Sequence, residues 1–405
     1  MSRARADRLR LDPLVGDLEA ENARLRAAGP LVAVALPGGI PAWAVTHDAE
    51  ARRLLTDTRL VKDVSAWTLH QRGQIPPEWP LIGVVEHGRS MFTVDGVPHQ
   101  RLRSPVAQAF STRQMNSMRE RIGELTRELL DALPADGNPV DLRAAFACRL
   151  SMRVISELTG VDPADQPGLA VLFDKFLSTQ TPPDEVISNQ AALTAMMRTL
   201  AATRRASPRD DLTSLLVTDS GGDTFTDEEI VSTLQLVIGS GYLTTVSLIV
   251  NAVANLCAHP GQLALVRGGV VGWDAVVEET LRYSAPNSNF LIRFATADIA
   301  VGDAMIRRGE ALIVSYGAIG RDERRYGRTA ADFDITRSPN RHMSFGHGPH
   351  FCVGAPLARL EGSTALSLLY ERFPNLTLAI PAEQLPHNPT VTQNELSELP
   401  ILLEP

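Results

Sequence analysis

The chemistry of this chain is concentrated in residues 345–354, Phe-Gly-His-Gly-Pro-His-Phe-Cys-Val-Gly. Three glycines and a proline make the stretch too irregular for a helix interior or a strand, so it predicts a rigid loop. Ala355-Pro356-Leu357-Ala358-Arg359-Leu360-Glu361 follows as a helix start, with proline in the first turn. Cys352 therefore stands just ahead of a helix N-terminus. Free N–H groups and the helix dipole there favour a thiolate over a thiol, and a thiolate is a nucleophile or a metal ligand. A lone cysteine is by itself more often a small buried apolar residue, and glycines alone mark a tight turn.

Three other sets have chemical spacing. After Asp95, His99 and Arg103 fall four apart on one helical face, which alone would be a solvated pair. Glu279-Thr280-Leu281-Arg282 lies in a predicted helix over residues 273–283. Such a pair is usually exposed and contributes roughly 0.2–0.5 kcal/mol. Ile238-Gly239-Ser240-Gly241-Tyr242-Leu243-Thr244-Thr245 lies within a long helix predicted over residues 227–258, opened by the capping box Thr226–Glu229. Two glycines inside a helix cost about 1 kcal/mol each relative to alanine. That cost is offset by close approach of a flat group, by a local widening that holds water, or by helix packing through small residues.

The elements that must position these residues are mostly helical. Helices are expected at residues 11–28 and 48–56 and through most of 115–206, with a hairpin over 31–36 and 42–46 around Pro37-Gly38-Gly39. Residues 62–89 form a long irregular connection containing Trp67 and Trp79. Arg293 falls in a strand-like run over residues 290–295. Phe173 and Phe176, three apart, fit a core position first.

The chain has 405 residues, 44% of them hydrophobic, enough for a large core. A formal net charge of −8 gives no reason to expect nucleic acid. Cys148, Cys257 and Cys352 are too few and too far apart for a disulfide scaffold or a four-cysteine metal site. The basic N-terminus leads into no apolar run, so no signal peptide is expected. No stretch is read as a membrane span, because residues 234–256 are interrupted by Gln235, Ser240, Thr244, Thr245, Ser247 and two asparagines. A cytoplasmic protein is expected, without membrane or nucleic-acid partners.

The joint pattern F-G-x-G-x-H-x-C-x-G fixes six of ten positions and resembles the haem-binding loop of the cytochrome P450 family. D-x-x-x-H-x-x-x-R at 95–103 and E-x-x-R at 279–282 match further motifs of that family in the same order. So does Ser240-Gly241-Tyr242-Leu243-Thr244, set against A-G-x-[D/E]-T. The resemblance spans essentially the whole chain. It implies one domain over residues 1–405, mainly α with small β-sheets (α+β), around a buried haem b.

The resemblance also implies residue roles. Cys352 becomes the axial thiolate of haem iron, with Phe345, Gly346 and Gly354 shaping its loop. His99, Arg103, Arg293 and His350 become donors to the haem propionates. Glu279, Arg282 and Arg337 become a buried structural network. Ser240, Gly241, Leu243, Thr244 and Thr245 line the oxygen site. Leu243 departs from the pattern, since an acid there normally delivers protons. Trp67, Trp79, Phe92, Ile238, Pro286, Asn287, Ser288, Asn289, Phe290, Gln393 and Asn394 are expected at the substrate pocket.

The implied activity is O2-dependent oxidation of a small-molecule secondary metabolite. It proceeds by hydroxylation or epoxidation, or by oxidative coupling of aromatic units such as phenols, indoles or cyclic dipeptides. Electrons would come from NAD(P)H through a ferredoxin reductase and an acidic ferredoxin to a monomeric enzyme. The ferredoxin would dock near Arg324 and Arg325, with Arg101 and Arg113 as further candidates. The rival from another class is a haem protein that senses or stores a gas without turnover.

Overall fold

A computed structural model describes residues 8–134, 137–218 and 225–403. The longer helices used below are α1 (Leu18–Ala28), α2 (Asp48–Leu55), α3 (Gly96–Ala109), α4 (Thr112–Asp131) and α5 (Cys148–Thr159). They continue with α6 (Gln166–Phe176), α7 (Pro183–Ala206), α8 (Asp227–Ala258), α9 (Trp273–Tyr283) and α10 (Ala355–Arg372).

Helix α8 is the axis of the helical part. Its capping box forms as expected: Glu229 N–H donates to Thr226 Oγ1 at 3.2 Å, and Thr226 N–H donates to Glu229 Oε2 at 3.0 Å. Helices α5, α7, α9 and α10 pack around it. Among the described residues α8 is the one helix long and apolar enough, by length and composition, to cross a bilayer. However, 78% of its most apolar window is buried against protein. A helix apolar on every side is a core helix when other helices cover every side.

The two glycines of α8 have a packing cause. A Cβ on Gly239 would lie 2.6 Å from the Phe173 ring, and one on Gly241 would lie 2.7 Å from Ile155 Cδ1. Of the three explanations open at the sequence level, small-residue packing against α6 and α5 is the one observed.

The main sheet gathers β1 (Leu9–Arg10), β2 (Leu31–Leu36), β3 (Ile40–Val45), β4 (Leu60–Val61), β5 (Asn289–Ala295) and β6 (Ala311–Ser315), in spatial order β1-β2-β3-β6-β5-β4. The β2–β3 hairpin turns through Pro37–Gly39, where Gly38 and Gly39 take φ of 74° and 75°. The helix expected over residues 11–28 starts only at Leu18. Asp12 folds the preceding stretch into a turn by accepting from Leu14 N and Gly16 N, and Asp17 caps α1 by accepting from Ala20 N.

Glu279 and Arg282 are both fully buried on α9. The guanidinium of Arg282 donates to both Glu279 oxygens at 2.7 and 2.8 Å, and to the carbonyls of Gly320, Ala330 and Asp332. Asp334 N–H and Asn340 Nδ2 also donate to Glu279, and Arg337 Nε lies 3.5 Å from it. The pair thus ties a helix to two loops on the way to the cysteine loop.

One buried acid on α10 has a pH consequence. Glu361 accepts from Ser151 Oγ at 2.7 Å, and burial raises its carboxyl from 4.5 to about 7. The folded state then binds more protons than the unfolded one, so its stability is fully present below 4.5 and is lost as pH rises through about 7. We expect Glu361→Gln to remove that loss, gaining about 2–3 kcal/mol relative to the unaltered chain between pH ~5 and ~8 in urea unfolding. Equal pH slopes in the two proteins would refute this.

Candidate active site

The cysteine loop is held by its own backbone. Cys352 N–H donates to Phe345 O at 2.8 Å, and Gly346 and Gly348 both take φ of 76°. A Cβ on Gly348 would also come within 3.2 Å of Leu55 O, so α2 presses on the loop there. Cys352 faces a cavity. Burial pushes its thiol up, while the N–H groups of Gly354 and Ala355 and the cations Arg103 and Arg359 pull it down. The helix start does favour the thiolate, as the sequence implied, but burial outweighs it in the protein alone. A metal ion bonded to sulfur would reverse that balance. Phe345 is buried beside the sulfur, with the Arg359 guanidinium 4.6 Å over its ring, and Arg359 is fixed by two bonds to Glu278.

Across the cavity, α8 presents Ser240, Gly241, Leu243, Thr244 and Thr245, so the expected oxygen-site residues share one wall. Ser240 Oγ donates to Leu236 O and Thr244 Oγ1 to Ser240 O, both at 2.6 Å. Their lone pairs remain available to the cavity. Leu243 lines it as well and brings no proton.

A cluster of donors flanks the cavity. His350 lies against His99 with ring centroids 4.2 Å apart and planes tilted by 43°, and its Nε2 lies 2.9 Å from Asp95 Oδ1. Arg293 NH1 lies 3.9 Å from the same oxygen. Arg103 lines the cavity and donates to Phe351 O at 2.6 Å. Lys62 is buried alongside and donates to Ile292 O at 2.9 Å. Burial, with repulsion from neighbouring cations, lowers the pKa of Lys62, His99 and His350, the last to about 4, and burial alone lowers that of Arg293. His99 Nε2 and Arg293 Nε and NH2 are buried without partners. So many donors around one carboxylate are short of acceptors, and the two propionates of a haem fit that shortage. Sequence reasoning missed Lys62 and treated Asp95 only as a motif letter, because their role depends on a contact across more than 200 residues.

The expected substrate pocket divides. Phe92, Pro286, Asn287, Phe290 and Gln393 line the cavity. Trp67 and Trp79 do not. They pack on each other at 5.9 Å, Trp67 stacks on Phe294 at 5.3 Å, and Trp79 Nε1 donates to Pro37 O, so both belong to the core beneath the sheet. Ile238 points into the helical core. Ser288, Asn289 and Asn394 are not in the cavity wall; their backbones frame it, with Ser288 N–H donating to Thr392 O, Asn289 in register with Ser315 across β5 and β6, and Asn394 N–H donating to Pro286 O. Val84, His87 and Met91 line the cavity and were not expected there, and Phe173 and Phe176, read first as core with the family's substrate lid as the other reading, line it too. Arg101, expected at a docking surface, instead pairs with Glu229 at the start of α8.

A cysteine loop opposite a long helix, with acceptor-poor cations beside it, defines a haem-thiolate oxidoreductase. The chain belongs to the cytochrome P450 family. The model described as Cytochrome P450 matches residues 273–395. The chain is 34% identical to 2-hydroxy-5-methyl-1-naphthoate 7-hydroxylase of Streptomyces carzinostaticus, covering 98% of this chain and 97% of that one. It is 35% identical to the cytochrome P450 monooxygenase PikC of Streptomyces venezuelae over 94% and 89%. Among solved structures, testosterone-bound CYP154C4 of Streptomyces sp. ATCC 11861 is 56% identical with a TM-score of 0.96, over 98% of both chains. The chain is therefore a P450 monooxygenase-type oxidoreductase that uses haem and O2.

From the donor cluster we expect single alanine variants of His99, Arg103, Arg293 and His350 to weaken haem retention by about 1–3 kcal/mol each. Haem transfer to apomyoglobin measures it. Four variants that retain haem like the unaltered chain would remove these residues from the propionate site.

Proposed function

We propose that this enzyme inserts one oxygen atom of O2 into a rigid, largely apolar polycyclic small molecule of the secondary-metabolite class. The observation that carries this reading is the cavity wall: mostly apolar side chains over Cys352, with few polar groups set apart. Gln393 Oε1 is one of them, buried without a partner, and suits a hydroxyl on the substrate. The testosterone bound by CYP154C4 is a molecule of this shape.

Cys352 would hold haem iron as thiolate, and the bound haem supplies the activation of O2. The chain's own residues do the rest. Phe173, Phe176 and Phe290 exclude water and orient the flat substrate. Thr244 Oγ1 and Ser240 Oγ, turned from their carbonyls, would hold water and pass protons in place of the acid that Leu243 lacks. We assign the electrons to NAD(P)H through a ferredoxin reductase and an acidic ferredoxin, in the cytoplasm. Arg325 supports docking near the cysteine loop. It lies 3.9 Å from Asp48, which binds Arg52, and Arg52 NH1 reaches His347 at 3.4 Å.

Oxidative coupling is the second reading, favoured by Leu243 and by the 31% identical P450 CxnD, which forms a C–S bond in chuangxinmycin biosynthesis. Gas sensing without turnover is set aside because the relatives are hydroxylases and monooxygenases.

Turnover of a steroid panel under ¹⁸O2 with surrogate ferredoxin and reductase tests the proposal. One labelled oxygen per product is expected. Unlabelled products joining two ring systems would replace insertion by coupling. Absence of reduction by an acidic ferredoxin at low salt would remove that partner class.

A further inference from the structure

Helix α6 roofs the cavity through Phe173 and Phe176, and the Phe173 ring rests on α8 at Gly239. Asp174, between these two phenylalanines, meets a different flank of α8. Tyr242 OH donates to Asp174 Oδ1 at 3.3 Å, and Arg143 NH2 lies 3.5 Å from the same oxygen. The same Arg143 nitrogen pairs with Glu395, from the turn that carries Gln393 into the cavity wall. One guanidinium is thus shared between a carboxylate on the roof and a carboxylate on the wall.

The two carboxylates are not equivalent. The side chain of Glu395 is 5% exposed and that of Asp174 is 38% exposed. Both contacts to Asp174 lie near the long limit for a hydrogen bond, whereas Arg143 and Glu395 are in close contact. If the roof lifts, Asp174 passes to water and Arg143 keeps Glu395, so no buried charge is stranded. Separation therefore avoids the penalty of breaking a sealed ion pair. Arg143 Nε is also buried without a partner, so its guanidinium is not saturated where it stands. Tyr242 itself is 1% exposed, directly beside Leu243 and two residues from Thr244, which line the cavity.

We propose that Asp174, Tyr242 and Arg143 form a latch that holds α6 shut over the cavity. Tyr242 is its positioning residue, linking roof closure to the α8 segment at Leu243 and Thr244. Glu395 competes with the latch for Arg143. The inference rests on the reading above only in taking this cavity as the place where substrate is bound and oxidised.

The test uses ferric holoenzyme and 4-phenylimidazole, whose nitrogen ligates haem iron and shifts the Soret band on entry. This probe is not oxidised, so the result is independent of which substrate or outcome the enzyme proves to have. Stopped-flow mixing gives both association and dissociation rates. Asp174→Asn and Tyr242→Phe should raise both by about 10-fold, equivalent to about 1.4 kcal/mol of lost latch. Glu395→Gln should lower both, because Arg143 then turns wholly to Asp174. A merely structural cluster would move all three variants in one direction, and that result overturns the proposal, as do unchanged rates in Asp174→Asn and Tyr242→Phe. If Glu395→Gln does not load haem, Asp174→Glu decides. A restored carboxylate should bring the rates back toward the unaltered enzyme, and rates as fast as those of Asp174→Asn would overturn the latch.

Discussion

Cys352→His should still collect haem but lose the strongly red-shifted Soret band of the reduced, CO-bound protein, with monooxygenase activity falling to background. The expectation follows from the loop. Its backbone bond from Cys352 N–H to Phe345 O and its positive-φ glycines do not involve the sulfur, so the frame survives the substitution. What disappears is the thiolate and its donation of electron density, which favours O–O cleavage. A histidine in its place gives an ordinary haem spectrum without that donation. A variant that kept both the red-shifted band and the activity would show that another residue ligates iron.

Arg282→Met should destabilise the protein by about 3–5 kcal/mol, the cost of stranding a buried charge. Such a loss is a large share of the roughly 5–15 kcal/mol that holds a domain folded. Glu279 would retain only Arg337, Asn340 and one backbone N–H, and three loop carbonyls would lose their donor. The double variant Glu279→Gln, Arg282→Met should recover part of the loss but not all, since the carbonyls of Gly320, Ala330 and Asp332 stay unpaired. Urea midpoints of the three proteins measure this. A single variant as stable as the unaltered chain would show that the network holds nothing.

What could be read from the linear chain was what local physics dictates. Gly346, Gly348 and Pro349 force a loop wherever they stand, Thr226 and Glu229 cap a helix by their spacing, and Glu279 meets Arg282 because both are on one helix turn. What could not be read depends on distant partners. Trp67 and Trp79 looked like pocket residues because irregular, proline-rich connections often bind ligands, yet each finds a core neighbour in β5 or the β2–β3 turn. Arg101 looked free until Glu229, 128 residues away, was brought to it. The glycines of α8 allow small-residue packing, but no local pattern says that the groups packed there are Phe173 and Ile155.

The sheet order has a consequence for how the chain is made. β3 is complete within the first 45 residues, yet its neighbour β6 pairs Leu312 with Trp43, about 270 residues later. On the ribosome the β2–β3 hairpin must therefore wait, with one hydrogen-bonding edge open, while nearly all the helices are synthesised. Pairing so remote in sequence folds slowly, and an open edge is where nascent chains associate wrongly. Arg282 cannot engage the carbonyls of Gly320, Ala330 and Asp332 until these residues, which follow β6, have been made. Cys352 and Gln393, which line the cavity, lie later still, so a nascent chain arrested before β6 holds an open edge and no complete pocket.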